Sequence, residues 1–374
     1  MADVFKPLIK YTGGKYDEYK YFKREIPDII NNYYEPFFGG GGVFFQLHNA
    51  KKISGDSYIN DISKDLMNFY GNVTNKGFLN EIMKLSDNWE CVKAVAEKTF
   101  EQFGETYFDV ILGRKDISKF INDSLRNFLS HTVNSFGALR FYDTHGFSMV
   151  DRMYDGLNDK TKRFIKKNIS EEETDLPYKS ITTAIHQAFY FVIRDMYNDW
   201  LLGGKGYTQE EKSAQWFFIR EFCYGSMFRF SRDGKFNIPY GGFGYNSKCF
   251  SCKVDEVCSE KVQNLFRTVK ISCLDFEKFL DMDFKEGDFI FLDPPYDSTF
   301  SEYDNNSFTM ADQTRLRDSL SKLKCKWLLV IRKTDFISDL YKDYEQVPFD
   351  KTYSYHARGT YNDKNCTHIA IKNY

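Results

Sequence analysis

Apolar and polar positions follow two different rhythms along this chain, and the change of rhythm divides it. Near the amino terminus and again beyond residue 254, short apolar runs stop abruptly at proline or an acid. These are Tyr33-Tyr34-Glu35-Pro36, Ser57-Tyr58-Ile59-Asn60-Asp61, Val269-Lys270-Ile271-Ser272-Cys273-Leu274-Asp275-Phe276 and Asp288-Phe289-Ile290-Phe291-Leu292; a further buried run, residues 327–331, stops at Arg332-Lys333. Runs of this length, separated by amphipathic stretches such as 19–30, 63–70 and 312–323, predict strands of a largely parallel sheet with helices on its faces. Residues 353–357 and 367–371 alternate in the manner of an antiparallel pair joined by a polar loop, 358–365.

Between about 74 and 253 the alternation of strand and helix disappears. Segments 80–99 and 181–200 have helical spacing, and the polar stretch 168–179 interrupts them. The pattern predicts a mostly helical domain, 76–253, inserted into an α/β domain made of 1–75 and 254–374. Near its end, Asp233-Gly234 lies between aromatic runs and predicts a β-hairpin over 227–241. That hairpin would carry Arg229, Arg232, Lys235 and Asn237, residues suited to phosphate and base-edge contacts.

Composition narrows the function classes mainly by exclusion. With 51 basic against 53 acidic residues there is no global field for a polyanion, so any nucleic-acid surface is a local patch. No stretch approaches the roughly 20 apolar residues of a membrane span. Met1-Ala2-Asp3-Val4 lacks the regions of a signal peptide, which predicts a cytoplasmic protein. The eight cysteines form no secreted-type framework, and Cys249-x-x-Cys252 is half of a zinc-ribbon spacing without its second half. Free thiols and no metal are expected.

Candidate chemistry gathers where the predicted strands end. In Asp293-Pro294-Pro295-Tyr296 the prolines have no N–H to donate, so the chain must leave the sheet at the carboxyl end of a strand, where open α/β sheets bind ligands. The Asp293 carboxylate and the Pro294 carbonyl can accept from one exocyclic amine, and Tyr296 offers a stacking face. Four glycines, Gly39 to Gly42, follow Glu35-Pro36-Phe37-Phe38 and open a helix, in the logic of a nucleotide-binding turn, although G-x-G-x-x-G is absent. About twenty residues on, Asp61 is a candidate ribose ligand, with helix capping as its alternative role. Asp275 and Phe276 suit an adenine amino group and ring face. Lys15 lies just beyond the Gly13-Gly14 turn.

In this order, the pieces resemble the Dam-type (D12 class, alpha group) DNA adenine-N6 methyltransferases. The resemblance rests on Lys10-Tyr11-Thr12-Gly13-Gly14-Lys15, Glu35-Pro36-Phe37-Phe38-Gly39-Gly40-Gly41, Asn60-Asp61-Ile62, Gly234-Lys235-Phe236-Asn237-Ile238-Pro239-Tyr240-Gly241 and Asp293-Pro294-Pro295-Tyr296, and covers about 1–75 and 215–374. It implies a Rossmann-like S-adenosylmethionine-dependent sheet domain and an inserted target-recognition domain whose hairpin contacts double-stranded DNA. Tyr11, Lys15, Glu35, Pro36, Phe37, Gly39, Gly41, Asp61, Asp275, Phe276 and Asp293 would lie at the cofactor. Asp293, Pro294, Pro295 and Tyr296 would hold a flipped adenine, and Arg229, Arg232, Lys235, Asn237, Pro239 and Tyr240 would face DNA. Cytosine-N4 or RNA-adenine methylation and a silent DNA-binding relative are the alternatives. The chain departs from the family in having Gly225-Ser226 where Asn-Gly is common, and its 76–214 stretch is longer than usual.

Overall fold

Among the described residues seven strands, β1 (Tyr33–Glu35), β2 (Ser57–Asn60), β3 (Lys270–Ser272), β4 (Phe289–Leu292), β5 (Lys326–Arg332), β6 (Glu345–Thr352) and β7 (Asn365–Lys372), form one sheet in the order β3-β2-β1-β4-β5-β7-β6. The computed structural model describes residues 4–11, 13–140, 142, 148–167, 169–295, 308–352 and 365–374. Strands β1 to β5 are parallel to one another, and β7 runs antiparallel to both β5 and β6. The strand order reverses between β1 and β4, which pair with Tyr33 opposite Phe289. Their carboxyl ends, marked by Glu35 and Asp293, therefore flank the switch point of the sheet.

The two-residue period of the strands sorts their side chains onto two faces. Tyr34, Ile290, Leu292, Trp327, Leu329, Ile331, Ile369 and Ile371 are buried on one, against Leu316 and Leu320 of the helix Met310–Leu320. On the other, Phe291 stacks with Phe22 at 5.7 Å and Tyr33 meets Phe44 at 6.3 Å. Each fully buried side chain of this kind contributes about 1.5–3 kcal/mol. Burial on both faces is why these strands read as continuous apolar runs.

Two elements differ from expectation. The predicted helix over 19–30 is a single turn, Tyr19–Phe22, followed by the 3₁₀ turn Lys23–Glu25. Pro27 disfavours the helical region for Ile26, which is extended at φ −97° and ψ 131°. The partner of β7 is β6, upstream of the expected 353–357. That segment and 358–364 of the expected loop lie outside the described residues. Pro348 sits within β6 opposite Ile369, tolerated because β6 is an edge strand.

The chain divides into two compact units, Met1–Thr74 with Cys258–Tyr374, and Asn75–Val257. The second is helical, with Lys76–Ile111, Asp123–Ser135, Met149–Ile165, Leu176–Leu201 and Gln209–Phe222. Asn75 accepts from Gly77 N to start the 36-residue first helix, and a Thr208/Glu211 capping box starts the last of these five. Trp89, Phe189, Phe218 and Phe222 meet in the core of this unit. Cys249 and Cys252, expected as free thiols, are joined in a disulfide at the start of the helix Phe250–Cys258. One helical turn brings their Cα atoms to 5.3 Å, within reach of such a bond. Among the described residues no helix is long and apolar enough to cross a membrane.

Candidate active site

After β1 the chain turns through its glycines. Phe38 N donates to Asn60 O at 2.9 Å and Gly41 N to Phe38 O at 2.8 Å, with Gly39 (φ 50°) and Gly41 (φ 66°) in the left-handed region. A Cβ on Gly40 would stand 2.9 Å from Tyr11 Cβ, and one on Gly41 2.5 Å from Phe38 Cζ. Close approach is thus required by the packing of Tyr11 and Phe38 over the turn. Asp61 fixes the turn from the side. Its Oδ2 accepts from Gly39 N and its Oδ1 from Ser63 N, each at 3.0 Å.

Asn60, next to it, was not singled out as a site residue by the pattern of the sequence. It is buried, its Nδ2 donates to Pro36 O (3.1 Å) and Leu274 O (3.0 Å), and its Oδ1 accepts from Ser272 Oγ (2.9 Å) and Leu274 N (2.8 Å). One amide therefore ties together the carboxyl ends of β1, β2 and β3. The available signal was a polar residue ending an apolar strand, but its partners are 24 and 214 residues away.

At the end of β4, Lys15 Nζ lies 2.7 Å from Asp293 Oδ1 and 2.9 Å from Oδ2, and donates to Gly13 O at 3.1 Å. Lys15 is 2% exposed and the Asp293 side chain 20%. The lysine placed at the cofactor by resemblance is thus also the counter-ion of Asp293. Glu35 is buried and accepts from Tyr33 Oη at 2.7 Å. Burial pushes its carboxyl well above the usual carboxylate range; the Tyr33 hydrogen bond opposes this, and the charges of Asp293 and Asp61 add to it.

Beyond Asp293, Pro294 is buried and Pro295 exposed, and Pro295 O accepts from Gln313 Nε2 at 3.1 Å. Tyr296 lies outside the described residues. Asp275 Oδ1 accepts from Glu277 N at 3.0 Å, capping its short helix, and from Arg315 at 3.1 Å; Arg315 also binds Glu277 and Asp312. Phe276 is buried against Phe37 at 5.5 Å and Phe308 at 5.6 Å, so the half-buried Phe37 is the more accessible ring of the pair.

In the helical unit the hairpin closes with Ser231 N donating to Lys235 O at 2.8 Å, so Arg232-Asp233-Gly234 is a three-residue loop with Gly234 at φ 79°. Arg229 Nε donates to Asn237 Oδ1 at 3.2 Å. Arg229, Arg232, Lys235, Asn237 and Pro239 are exposed. Tyr240 is not. It is 6% exposed, packed on Tyr190 and Tyr245, and donates to Asn246 Oδ1 at 2.8 Å. The expected DNA contact of Tyr240 is corrected to a place in the core: Tyr224 N donates to Pro239 O and Gly241 N to Phe222 O, which turns the ring inward.

The family model of the D12 class N6 adenine-specific DNA methyltransferases matches residues 11–192 and 161–355. The chain belongs to that family. The adenine-specific DNA methyltransferase is similar to the type II methyltransferase M.CviBI of Paramecium bursaria Chlorella virus NC1A, 24% identical over 372 residues that cover 99% of this chain and all of that one. It is 23% identical to the type II methyltransferase M1.LlaDCHI of Lactococcus lactis subsp. cremoris, covering 99% and 95%. Over 91% of its length and 89% of the relative's, it is 26% identical to the type II methyltransferase M.MjaIII of Methanocaldococcus jannaschii. The match runs through the 76–214 stretch of the enzyme, which its motifs had left without an inherited role. The methyltransferase carries its seven-stranded mixed sheet in the arrangement expected of an S-adenosylmethionine-dependent fold.

Proposed function

We propose that the Lys15–Asp293 pair and the Pro294 carbonyl form the site at which this DNA adenine methyltransferase holds the N6 amine of a target adenine extruded from double-stranded DNA. The observation that carries the reading is the position of Asp293. Its carboxylate stands at the switch point of the sheet, partly open to solvent, with a buried ammonium against both oxygens. Lys15 pairs with that carboxylate and orients it. The amine donates one N–H to Asp293 and the other to Pro294 O, which raises electron density on an otherwise poor nucleophile and aligns it.

The residues around the glycine turn fit S-adenosylmethionine. Asp61 and Asp293 lie close enough to Glu35 to raise its carboxyl further, so carboxylate charge gathers beside the turn, a surrounding suited to a sulfonium. Asp61, which accepts from Gly39 N and Ser63 N beside the glycine turn, would meet the ribose hydroxyls. Tyr11, Lys15, Pro36, Phe37, Gly39, Gly41, Asp275 and Phe276 would line the remainder. The cofactor supplies an electrophilic methyl group. The residues of the chain bind it, hold the amine in line and exclude water.

We assign DNA recognition to the inserted unit, 76–253, through the exposed face of its hairpin, and place the reaction in the cytoplasm. Asp293→Ala tests the central claim. It should bind S-adenosylmethionine within about threefold of wild type by calorimetry, since it removes one of several ligands, while N6-methyladenine in treated DNA disappears by nucleoside mass spectrometry. Turnover like that of wild type would end this mechanism, and N4-methylcytosine or methylated RNA as the product would redirect it.

A further inference from the structure

Neither proline of Asp293-Pro294-Pro295 has an N–H, so their peptide groups can be held only through their carbonyl oxygens. Gln313 provides such a hold. It is completely buried, and its Nε2 donates to Pro295 O at 3.1 Å. Because a carbonyl can only accept, this contact fixes which way the amide points, and among the described residues Oε1 is left buried without a partner. An apolar side chain of the same shape would avoid that unpaired oxygen, so packing alone does not account for a glutamine here.

We propose that Gln313 is a positioning residue for methyl transfer, which by fixing Pro295 O fixes Pro294 O, the acceptor for the target amine. This rests on the reading that Asp293 and Pro294 hold that amine. The two carbonyls belong to consecutive peptide planes. The pyrrolidine ring locks φ of Pro295, so ψ of Pro295 is the one soft torsion between them. The hydrogen bond from Gln313 restrains that torsion, and Gln313 itself touches no reacting atom.

The helix that carries Gln313 is anchored without it. A Thr309/Asp312 capping box starts the helix, Arg315 binds Asp275 and Glu277, and Leu316 and Leu320 are buried beneath the sheet. Gln313→Leu should therefore fold. With DNA and S-adenosylmethionine saturating, its kcat should fall on the order of 10- to 100-fold, while both KM values and cofactor affinity stay within about threefold. Gln313→Glu supplies a second readout, because a carboxyl donates only when protonated: its kcat relative to wild type should rise as pH falls.

A kcat for Gln313→Leu within about twofold of wild type overturns the proposal, as does a Gln313→Glu pH profile parallel to that of wild type. If Gln313→Leu does not fold, the Gln313→Glu profile decides alone. Asp293→Ala, measured alongside, separates the two claims. Methylation by Asp293→Ala removes the amine-holding reading itself, whereas an inactive Asp293→Ala beside a fully active Gln313→Leu removes only the role of Gln313.

Discussion

Lys15 and Asp293 are 278 residues apart in the chain, yet the ammonium of one lies within 2.9 Å of both carboxylate oxygens of the other. Breaking such a pair leaves a partly buried charge without compensation, at a cost of about 3–5 kcal/mol when both groups are fully buried and less here, where Asp293 is 20% exposed. Lys15→Met should lower the melting temperature and reduce methylation at least about tenfold. In a double-mutant cycle, Asp293→Asn added to Lys15→Met should be less destabilising than the sum of the single changes. Strict additivity of the two would show that the pair contributes nothing.

Two buried groups, His186 and Glu35, should respond to acid in opposite senses. In the helical unit, burial pushes His186 down from 6.5 to about 4, and its Nδ1 hydrogen-bonds Thr182 O at 2.7 Å. A depressed folded value means that the unfolded chain protonates first, so stability is full above about 6.5 and is lost as pH falls toward 4. The loss amounts to about 3 kcal/mol at most. Glu35 has a raised folded value, so its contribution is greatest below the ordinary 4.5 and is lost as pH rises through its folded value. Denaturant titrations across this range should show His186→Gln with a weaker acid loss and Glu35→Gln with a weaker loss on raising pH. Unchanged pH slopes in both variants would contradict these assignments.

The sheet was legible because its signals are local. Most of the parallel strands are apolar runs with their own stops, and Glu35, Asp61 and Asp293 stand where three of those stops are. What was not legible is what those residues bind. Asn60 reaches Leu274 and Lys15 reaches Asp293 across hundreds of intervening residues, and no local periodicity reports such a contact. β6 was misplaced because Pro348 breaks the strand pattern at an edge position that tolerates it. Tyr240, which the resemblance put against DNA, is turned into the helical core by the backbone bonds of Tyr224 and Gly241, contacts that no local pattern reports.

The departure at Gly225-Ser226 keeps the turn. Met227 N donates to Tyr224 O at 3.3 Å, and both central residues have positive φ, 63° and 53°. This is the backbone that Asn-Gly serves in a type I′ turn, reached here with glycine in the first place. A Cβ on Gly225 would meet nothing nearer than Met227 Cγ at 3.5 Å, so Gly225→Ala should lose only the backbone preference, about 1–2 kcal/mol. Ser226→Gly, relieving the same strain at the second position, should be neutral or stabilising by up to about 1 kcal/mol. Chemical denaturation of the two variants checks both signs, and a destabilised Ser226→Gly would speak against strain at that residue.

On the proposed recognition of DNA by the hairpin, its exposed side chains would touch the duplex in two different ways. Arg232 stands exposed in the three-residue loop, while Arg229, also exposed, holds Asn237 Oδ1 at 3.2 Å and so orients the amide of that side chain. An exposed loop cation with no fixed direction suits a phosphate, whereas an amide held by its neighbour is prepared to meet a base edge. Arg232→Ala should therefore weaken binding to all duplexes alike and reduce the slope of log affinity against log salt by about 1. Arg229→Ala and Asn237→Ala should instead relax discrimination at one base pair by about 1–3 kcal/mol, with little change for nonspecific DNA. Affinities for specific and scrambled duplexes over a salt series, with sequencing of the methylated sites, distinguish the two behaviours. If all three variants leave affinity, salt slope and methylated site unchanged, these side chains are a solvated face of the hairpin and recognition lies elsewhere in the chain.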